Sequence, residues 1–200
     1  MAYGTNAPFG FRPVRYLNGT AWTGATNPYP IASAYSTSLF QGDPLIPLAD
    51  GTIGIGTAGN PGVGIFWGVK YRDSAGNYQF SKYWPASTVT FNSETAEAQV
   101  IDDPFLLFSA QEAATSSTAG TALALADRNL NINFKSGTGS TLTGQSAYFL
   151  DNATEATTSS LNFKIYGLDP TPGNVVGSYA NWLVTWNNHV YKGGAGTTGY

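Results

Sequence analysis

The sequence predicts an all-β protein, a β-barrel or β-sandwich of short antiparallel strands with an extended N-terminal arm and little helix. Three observations carry this prediction. Apolar and polar residues alternate with a period of two in several short segments, which is typical of half-buried strands. Glycine, proline, asparagine and aspartate separate these segments at even intervals. No segment between them has the apolar spacing of a long amphipathic helix.

The expected centre of the fold is the segment 64–111. Residues 64–71 alternate, and the turn-forming residues 73–77 are followed by a second alternating segment at 78–83, which predicts a β-hairpin. Residues 94–101 predict another strand. The strand predicted at 105–111 begins with four consecutive apolar residues, as expected of a strand that is buried on both faces.

Shorter strands are predicted on both sides of this centre. Asp50 and Gly51 form a turn signal between two short apolar segments, which predicts a hairpin. The remaining strands are predicted at 45–48, 52–55, 129–135, 147–150, 161–167 and 181–191, with polar loops at 112–120, 136–144 and 151–160. Segment 31–40 fits a strand or a helical turn, and segment 121–127 fits a helix or a strand.

Three regions are expected along the chain: an extended N-terminal arm at 1–30, a β-rich core domain at 31–192 and a flexible C-terminal tail at 193–200. The first thirty residues are dense in proline and glycine, which prevents a helix and interrupts strand ladders. They are also rich in aromatic residues, which disordered tails lack. An arm that becomes ordered on another protein surface accounts for both properties, and a loop packed on its own domain is the alternative.

Composition narrows the classes of function. Charged residues make up 10% of the 200 residues, against a typical ~25%. The net charge is −3 and no basic run is present, so binding to nucleic acid through phosphate neutralisation is not expected. Cysteine is absent. The sequence has neither a secretion-signal pattern at its start nor the ~20 consecutive apolar residues of a membrane span, so we expect a soluble protein made in the cytoplasm.

No catalytic, cofactor-binding or metal-binding residues are predicted. His189 is the one histidine and is expected to be structural. Asp102 and Asp103 are adjacent, so on a strand they point to opposite faces, and a turn is the better interpretation. A glycine pattern at 54–59 matches the dinucleotide-binding fingerprint, but Asn-Pro-Gly follows it and prevents the helix that such a site requires.

Two tryptophans leave a binding function open. Trp182 and Trp186 share one face of the last predicted strand, at a separation of roughly 13 Å. The spacing of this pair is compatible with a platform on which sugar rings stack. It is equally compatible with core packing or with a subunit contact. Packing is the preferred interpretation, because aromatic residues commonly fill cores and interfaces.

Several segments, taken in order, resemble one family of virus proteins. They are 9–13 (FGFRP), 42–44 (GDP) with 50–51 (DG), 64–71 with 83–85 (YWP), 100–104 (VIDDP) and 186–189 (WNNH). Together they resemble the capsid decoration proteins of tailed bacteriophages, which are also called cement or head-stabilisation proteins.

The resemblance implies a structural virion protein without enzymatic activity, located on the exterior of the phage head, where it stabilises contacts between capsomers. The implied partners are the major capsid protein and further copies of this chain, expected as a trimer, with no nucleic acid or membrane. The arm residues expected to touch the capsid are Phe9, Phe11, Arg12, Pro13, Arg15, Tyr16 and Trp22. The alternative function is a carbohydrate- or receptor-binding β module of a phage tail or fibre.

Overall fold

A computed structural model describes residues 4–113, 121–193 and 196–199. These residues form an antiparallel all-β fold, which confirms the predicted fold class. The strands are β1 (Arg12–Tyr16), β2 (Asn27–Ile31), β3 (Leu39–Phe40), β4 (Pro44–Pro47), β5 (Ile53–Ile55), β6 (Gly64–Arg72), β7 (Tyr78–Ser81), β8 (Tyr83–Trp84), β9 (Ala96–Ile101), β10 (Leu106–Gln111), β11 (Asn131–Lys135), β12 (Phe149–Ala156), β13 (Phe163–Leu168) and β14 (Asn181–Trp186). Two 3-10 turns lie at Phe91–Ser93 and Leu125–Asp127.

The strands form two large sheets and one small ribbon. The first sheet has the order β1-β10-β14-β13-β11-β12. The second has the order β2-β9-β6-β4-β5, and β7 pairs with β6 beside this path. The ribbon consists of β3 and β8. Sequence neighbours are often separated in the sheets, so the fold depends on contacts between distant parts of the chain.

Two hydrophobic cores hold these layers together. The first core lies on the first sheet and is completed by Ile65 and Ile101, which reach it from the second sheet. The second core lies on the opposite face of the second sheet, where Leu39 and Trp84 of the ribbon cover it. The second sheet is therefore the middle layer, with the first sheet on one face and the ribbon on the other.

The central strands lie where the sequence predicts them. The hairpin of β6 and β7 is present, and β9 and β10 follow it. All six residues of β10 are buried, as the apolar residues at 106–108 predict, whereas Phe105, the expected start of this strand, lies before it and is 53% exposed. The turn at Asp50 and Gly51 also forms: Gly51 has φ of 83°, and the Asp50 carboxylate accepts hydrogen bonds from the backbone N–H and hydroxyl of Thr52.

Two boundaries in the C-terminal half differ from the prediction. The strand expected at 147–150 is β12, which extends to Ala156 through residues expected to form a loop. Pairing with β11 explains the difference, because Ala156 lies opposite Asn131 across a register shift in that ladder. The last strand ends at Trp186 rather than near residue 191, because the chain turns at Asn187 to hydrogen-bond the backbone of Asn162.

The segment expected to be an arm forms part of the fold. Its strand β1 is an edge of the first sheet, and β2 is an edge of the second. Phe11 is fully buried and stacks on Phe163, with ring centroids 4.3 Å apart. The prediction of an extended arm at 1–30 is therefore wrong for the described residues. They pack on their own domain, which was the alternative.

The described part of the expected flexible tail is hydrogen-bonded to the domain. The N–H of Thr197 donates to Asn187 Oδ1 at 2.8 Å, and its carbonyl accepts from Asn131 Nδ2 at 2.7 Å. Gly199 N–H donates to the Thr157 carbonyl at 2.9 Å. Residues 196–199 therefore lie against the ends of the first sheet, while residues 194, 195 and 200 of this prediction lie outside the described residues.

Candidate functional site

The candidate site is a groove of about 330 Å³ at the boundary between the two large sheets. Half of its lining is aromatic or apolar and the other half is polar or glycine. Its residues are Phe9, Phe11, Arg12, Pro13, Trp22, Gln41, Gly42, Trp67, Lys82 and Gln145, and we call this set the groove.

The N-terminal segment forms one wall of the groove because it is fixed at two backbone hydrogen bonds. Gly10 N–H donates to the Tyr148 carbonyl at 3.1 Å, and Phe11 N–H donates to the Gly42 carbonyl at 3.0 Å. Gly10 has φ of 72°, and a Cβ there would lie 2.6 Å from the Ser146 side chain. Glycine is therefore required at position 10, and the bend places the side chains on either side of it at the groove.

The opposite wall is built by two distant segments that meet in a parallel bridge between Gln41 and Gln145. The Gln41 N–H donates to the Gly144 carbonyl at 2.9 Å, and the Gln41 carbonyl accepts from the Ser146 N–H at 3.0 Å. Gly144 also packs against the Cβ of Lys82, which leads from β7 to β8. The backbone of this wall is thus fixed, while the side chains of Gln41 and Gln145 make no hydrogen bond to another described residue.

The aromatic floor of the groove is an edge-to-face pair. The rings of Trp22 and Trp67 have centroids 5.2 Å apart and planes at 80°. Both side chains are half-buried, and the indole N–H of Trp22 donates to the Ala25 carbonyl at 3.3 Å. Edge-to-face contact is a favoured arrangement of aromatic rings, so the pair is a rigid apolar surface that remains partly open.

Two cations border the groove without an anionic partner. Arg12 lies over the Phe9 ring with its guanidinium carbon 4.3 Å from the centroid, and Lys82 is exposed. The one ion pair among the described residues joins Arg72 and Glu94 at 3.5 Å, away from the groove. The groove is therefore locally positive on a chain of net charge −3.

The seven residues expected to touch a capsid do not all lie on one surface. Phe9, Arg12, Pro13 and Trp22 converge on the groove, and Arg15 lies over the Tyr166 ring at 5.4 Å. Tyr16 packs against the first core. The predicted capsid contact of Phe11 is wrong, because its side chain is fully buried within its own chain and leaves no exposed surface for a partner. The capsid contact of the other six stays a prediction.

A second surface lies beside the groove on the middle sheet. The first sheet covers only part of this face, and the uncovered part carries Pro28, Pro30, Gly68, Lys70, Tyr78, Phe80, Glu97 and Gln99, which we call the open face. Phe80 is 76% exposed and Tyr78 is 64% exposed. A trough of about 450 Å³ runs between Gln99 and Phe80, over Gly68.

The tryptophans that suggested a sugar platform are core residues. Trp182 and Trp186 are both fully buried. Trp182 donates its indole N–H to Glu112 Oε1 at 3.2 Å, and Trp186 stacks on Phe163 at 4.3 Å. The interpretation of these two residues as a sugar-binding platform is therefore wrong, and the interpretation as core packing is confirmed.

The ionisable residues singled out from the sequence have structural roles. His189 is fully buried, its Nδ1 accepts from the Tyr191 N–H at 3.2 Å, and burial lowers its pKa to about 4. Asp102 accepts from the side chains of Asn27 and Tyr29, whereas Asp103 accepts from the Phe105 N–H at 2.7 Å and shapes the turn. The two carboxylates bind different neighbours, as the adjacent spacing predicts.

The sequence analysis did not identify five groove residues as site residues: Gln41, Gly42, Trp67, Lys82 and Gln145. They come from four separate segments and are brought together by the Gln41–Gln145 bridge and the β6–β7 hairpin. Nothing local distinguishes them, since glutamine and lysine are common on surfaces. Among these residues, Trp67 alone could have been singled out from the sequence, because it is an aromatic residue on a strand that is predicted to be central.

A comparison of the chain with protein-family models, curated proteins and solved structures finds no match in any of the three. Within the described ranges, no group of three or more His, Cys, Asp or Glu side chains is arranged to hold a metal ion. In the same ranges, no helix has the length and apolar character needed to cross a membrane.

Proposed function

We propose that this chain is a capsid decoration protein of a tailed bacteriophage, which binds the outer surface of the head and stabilises the contacts between capsomers. The observation that carries the proposal is the open face, where Tyr78 and Phe80 stand exposed side by side on β7. The resemblance of segments 9–13, 83–85 and 100–104 to that family supports it. Its partners under this proposal are the major capsid protein and further copies of itself, arranged as a trimer.

The open face has the properties of a protein-binding surface. Large exposed apolar side chains that lie together mark interaction sites more often than isolated ones do. Lys70 lies opposite both Phe80 on β7 and Glu97 on β9, so the charges on this face are few and partly balanced. A partner would therefore bury aromatic area here at a low cost of desolvating charge.

A decoration role also fits the mechanical need of a filled head. Internal pressure loads the junctions between capsomers, and a rigid sheet that buries more than ~1,000 Å² across a junction adds binding energy to the assembled state alone. Many copies around one shell multiply modest contacts through avidity. The low charge of the chain limits repulsion between neighbouring copies.

Electron microscopy of purified particles tests the location. We expect density for this chain at the junctions between capsomers on the outside of the head, and light scattering of the isolated protein should give the mass of a trimer. Density in the tail or fibre would support the alternative of a receptor-binding module instead. Absence from the particle would contradict both.

We expect Phe80→Asp to reduce the occupancy of the protein on heads by at least about tenfold, because a charge replaces the most exposed aromatic residue of the open face. Tenfold corresponds to ~1.4 kcal/mol of binding free energy, a modest loss for a buried aromatic contact. Occupancy is measured by pelleting decorated heads and quantifying the bound chain. The matched control is Leu125→Asp, since Leu125 is 65% exposed and lies outside the open face. Equal losses for the two variants would contradict the assignment.

A further inference from the structure

The groove has the size and lining of a ligand site. Its volume of about 330 Å³ falls within the ~300–1,000 Å³ of small-molecule pockets, which combine aromatic walls with a few converging polar groups. The edge-to-face pair of Trp22 and Trp67 gives two perpendicular apolar surfaces, one of which can receive a flat ring. The Trp22–Trp67 pair lies outside the open face, although Lys82 lines both the groove and the trough, so ligand binding in the groove is tested on the isolated chain, apart from the decoration role.

The polar groups of the groove match a ligand with several hydroxyl groups. Gln41 and Gln145 each present an amide that has no hydrogen-bond partner among the described residues, although their backbones are paired. A side-chain amide both donates and accepts, and a sugar hydroxyl does the same. Aromatic rings beside such amides bind the apolar face of a sugar ring while the amides bind its edge.

The cations of the groove add a requirement for negative charge on the ligand. Arg12 and Lys82 border the groove, and no carboxylate within the described ranges lies at ion-pair distance from either. Arginine and lysine bind carboxylates through charge-assisted hydrogen bonds. A neutral ligand would leave both charges uncompensated, whereas a carboxylate would compensate one or both.

A peptide is disfavoured because the backbone edges that border the groove are already occupied. Peptides commonly bind by adding a strand to a free sheet edge. The edge strand β1 passes the groove at Pro13, which has no amide hydrogen, and its next section at Arg15 is bridged to Ala21. Recognition in the groove therefore depends on side chains, which suits a saccharide better than an extended chain.

We propose that the groove binds a carboxylated saccharide, with a sugar ring stacked on Trp22, hydroxyl groups bound by Gln41 and Gln145, and the carboxylate bound between Arg12 and Lys82.

Isothermal titration of the full chain tests this proposal with two matched pairs of probes, trigalacturonic acid with its methyl ester and 3′-sialyllactose with lactose. We expect at least one carboxylated probe to bind, and its neutral partner to bind at least about tenfold more weakly. The affinity of the carboxylated probe should fall as salt concentration rises. A third probe, triglutamate, carries similar charge on a peptide. Absence of binding by both carboxylated saccharides, equal binding by a neutral partner, or tighter binding by triglutamate would each overturn the proposal.

Two variants assign the binding to the groove. Trp22→Ala and Lys82→Gln should each weaken the carboxylated probe, the first by about tenfold, whereas Lys135→Gln, an exposed lysine on β11, should leave it unchanged. Far-UV circular dichroism and thermal melting verify that the variants are folded, which is expected because Trp22 is only half-buried and Lys82 is exposed. Loss of binding in Lys135→Gln, or full binding in Trp22→Ala, would place the saccharide elsewhere and overturn the proposal. Neither result depends on whether the chain decorates a phage head.

Discussion

Trp186→Ala is expected to lower the free energy of unfolding by about 3–5 kcal/mol, the range measured for truncating a large buried aromatic residue. Trp186 is fully buried; it stacks on Phe163 with ring centroids 4.3 Å apart and also contacts the tilted ring of His189, whose centroid lies 5.4 Å away. A Cβ on Gly62 would lie 2.3 Å from the indole ring, so the backbone of the loop that leads into β6 packs directly on the tryptophan. The surrounding structure is held by both sheets and cannot collapse into the space that alanine would leave.

Chemical denaturation monitored by far-UV circular dichroism measures this loss, and the melting temperature should fall by roughly 10 °C or more. Trp186→Phe provides a matched comparison, because it keeps a ring against Phe163 and removes an indole N–H that has no acceptor among the described residues. We expect Trp186→Phe to cost much less than alanine. Tyr78→Ala removes an exposed aromatic residue and should change stability by no more than about 0.5 kcal/mol. Similar losses for Trp186→Ala and Tyr78→Ala would contradict the assigned packing.

The strands of the centre could be predicted because each carries its signal locally. In β13, Phe163 and Ile165 are buried while Lys164 between them is half-exposed, and the alternation is visible in the sequence. In β10, all six residues are buried, and the consecutive apolar residues Leu106, Leu107 and Phe108 give the signal for burial on both faces. Periodicity reports which faces are buried, and that is sufficient to find a strand of this kind.

The structure of the N-terminal segment could not be predicted in the same way, because its proline and glycine content only excludes structures such as a helix or a regular central strand. Pro28 and Pro30 lie in β2, a strand that pairs with β9 on one side only. Edge strands tolerate proline because an N–H that faces away from the partner strand is not needed. The sequence indicates an irregular, aromatic segment, but the surface that it covers is determined by partners far along the chain. An arm on another subunit and an edge strand on its own domain therefore look alike in sequence.

The groove was predictable in part for a related reason. Phe9, Arg12, Pro13 and Trp22 were singled out as contact residues because aromatic and cationic residues are concentrated in the first thirty. The other wall depends on the bridge from Gln41 to a segment a hundred residues later, for which the sequence has no local signal. Composition thus located half of the site, and topology supplied the rest.

Asp43→Asn is expected to stabilise the protein at pH 8 by as much as about 4 kcal/mol and to have little effect at pH 4. Asp43 is 1% exposed, and burial raises its pKa to about 7, against which the Phe40 N–H and the Ser146 hydroxyl act weakly. In the unfolded chain the same carboxyl has its ordinary pKa of about 4. Between these two values the folded protein binds more protons than the unfolded chain, so stability falls as pH rises from about 4 to about 7. The full loss, about 4 kcal/mol for a carboxyl whose pKa rises from about 4 to about 7 on folding, is present above pH 7.

Asparagine removes this pH dependence of stability because it does not ionise, while its amide oxygen can still accept the hydrogen bond that Asp43 Oδ2 accepts from the Phe40 N–H at 2.7 Å. The comparison uses the difference between the wild-type and variant unfolding curves at each pH, so contributions that both proteins share cancel. One of these is the contribution of His189: because its pKa in the folded protein is about 4, stability falls as pH falls from about 6.5 towards 4.

The control is Asp73→Asn, because hydrogen bonds from Gln79 and Asn77 lower the pKa of that exposed carboxyl and confine its effect to more acidic solutions. A difference for Asp43→Asn that stays constant from pH 4 to pH 8 would show that the buried carboxyl does not titrate in the folded protein. A difference that grows across this range would identify Asp43 as the group whose ionisation weakens the contact between the ribbon and the second sheet, since it lies at the turn that joins β3 to β4.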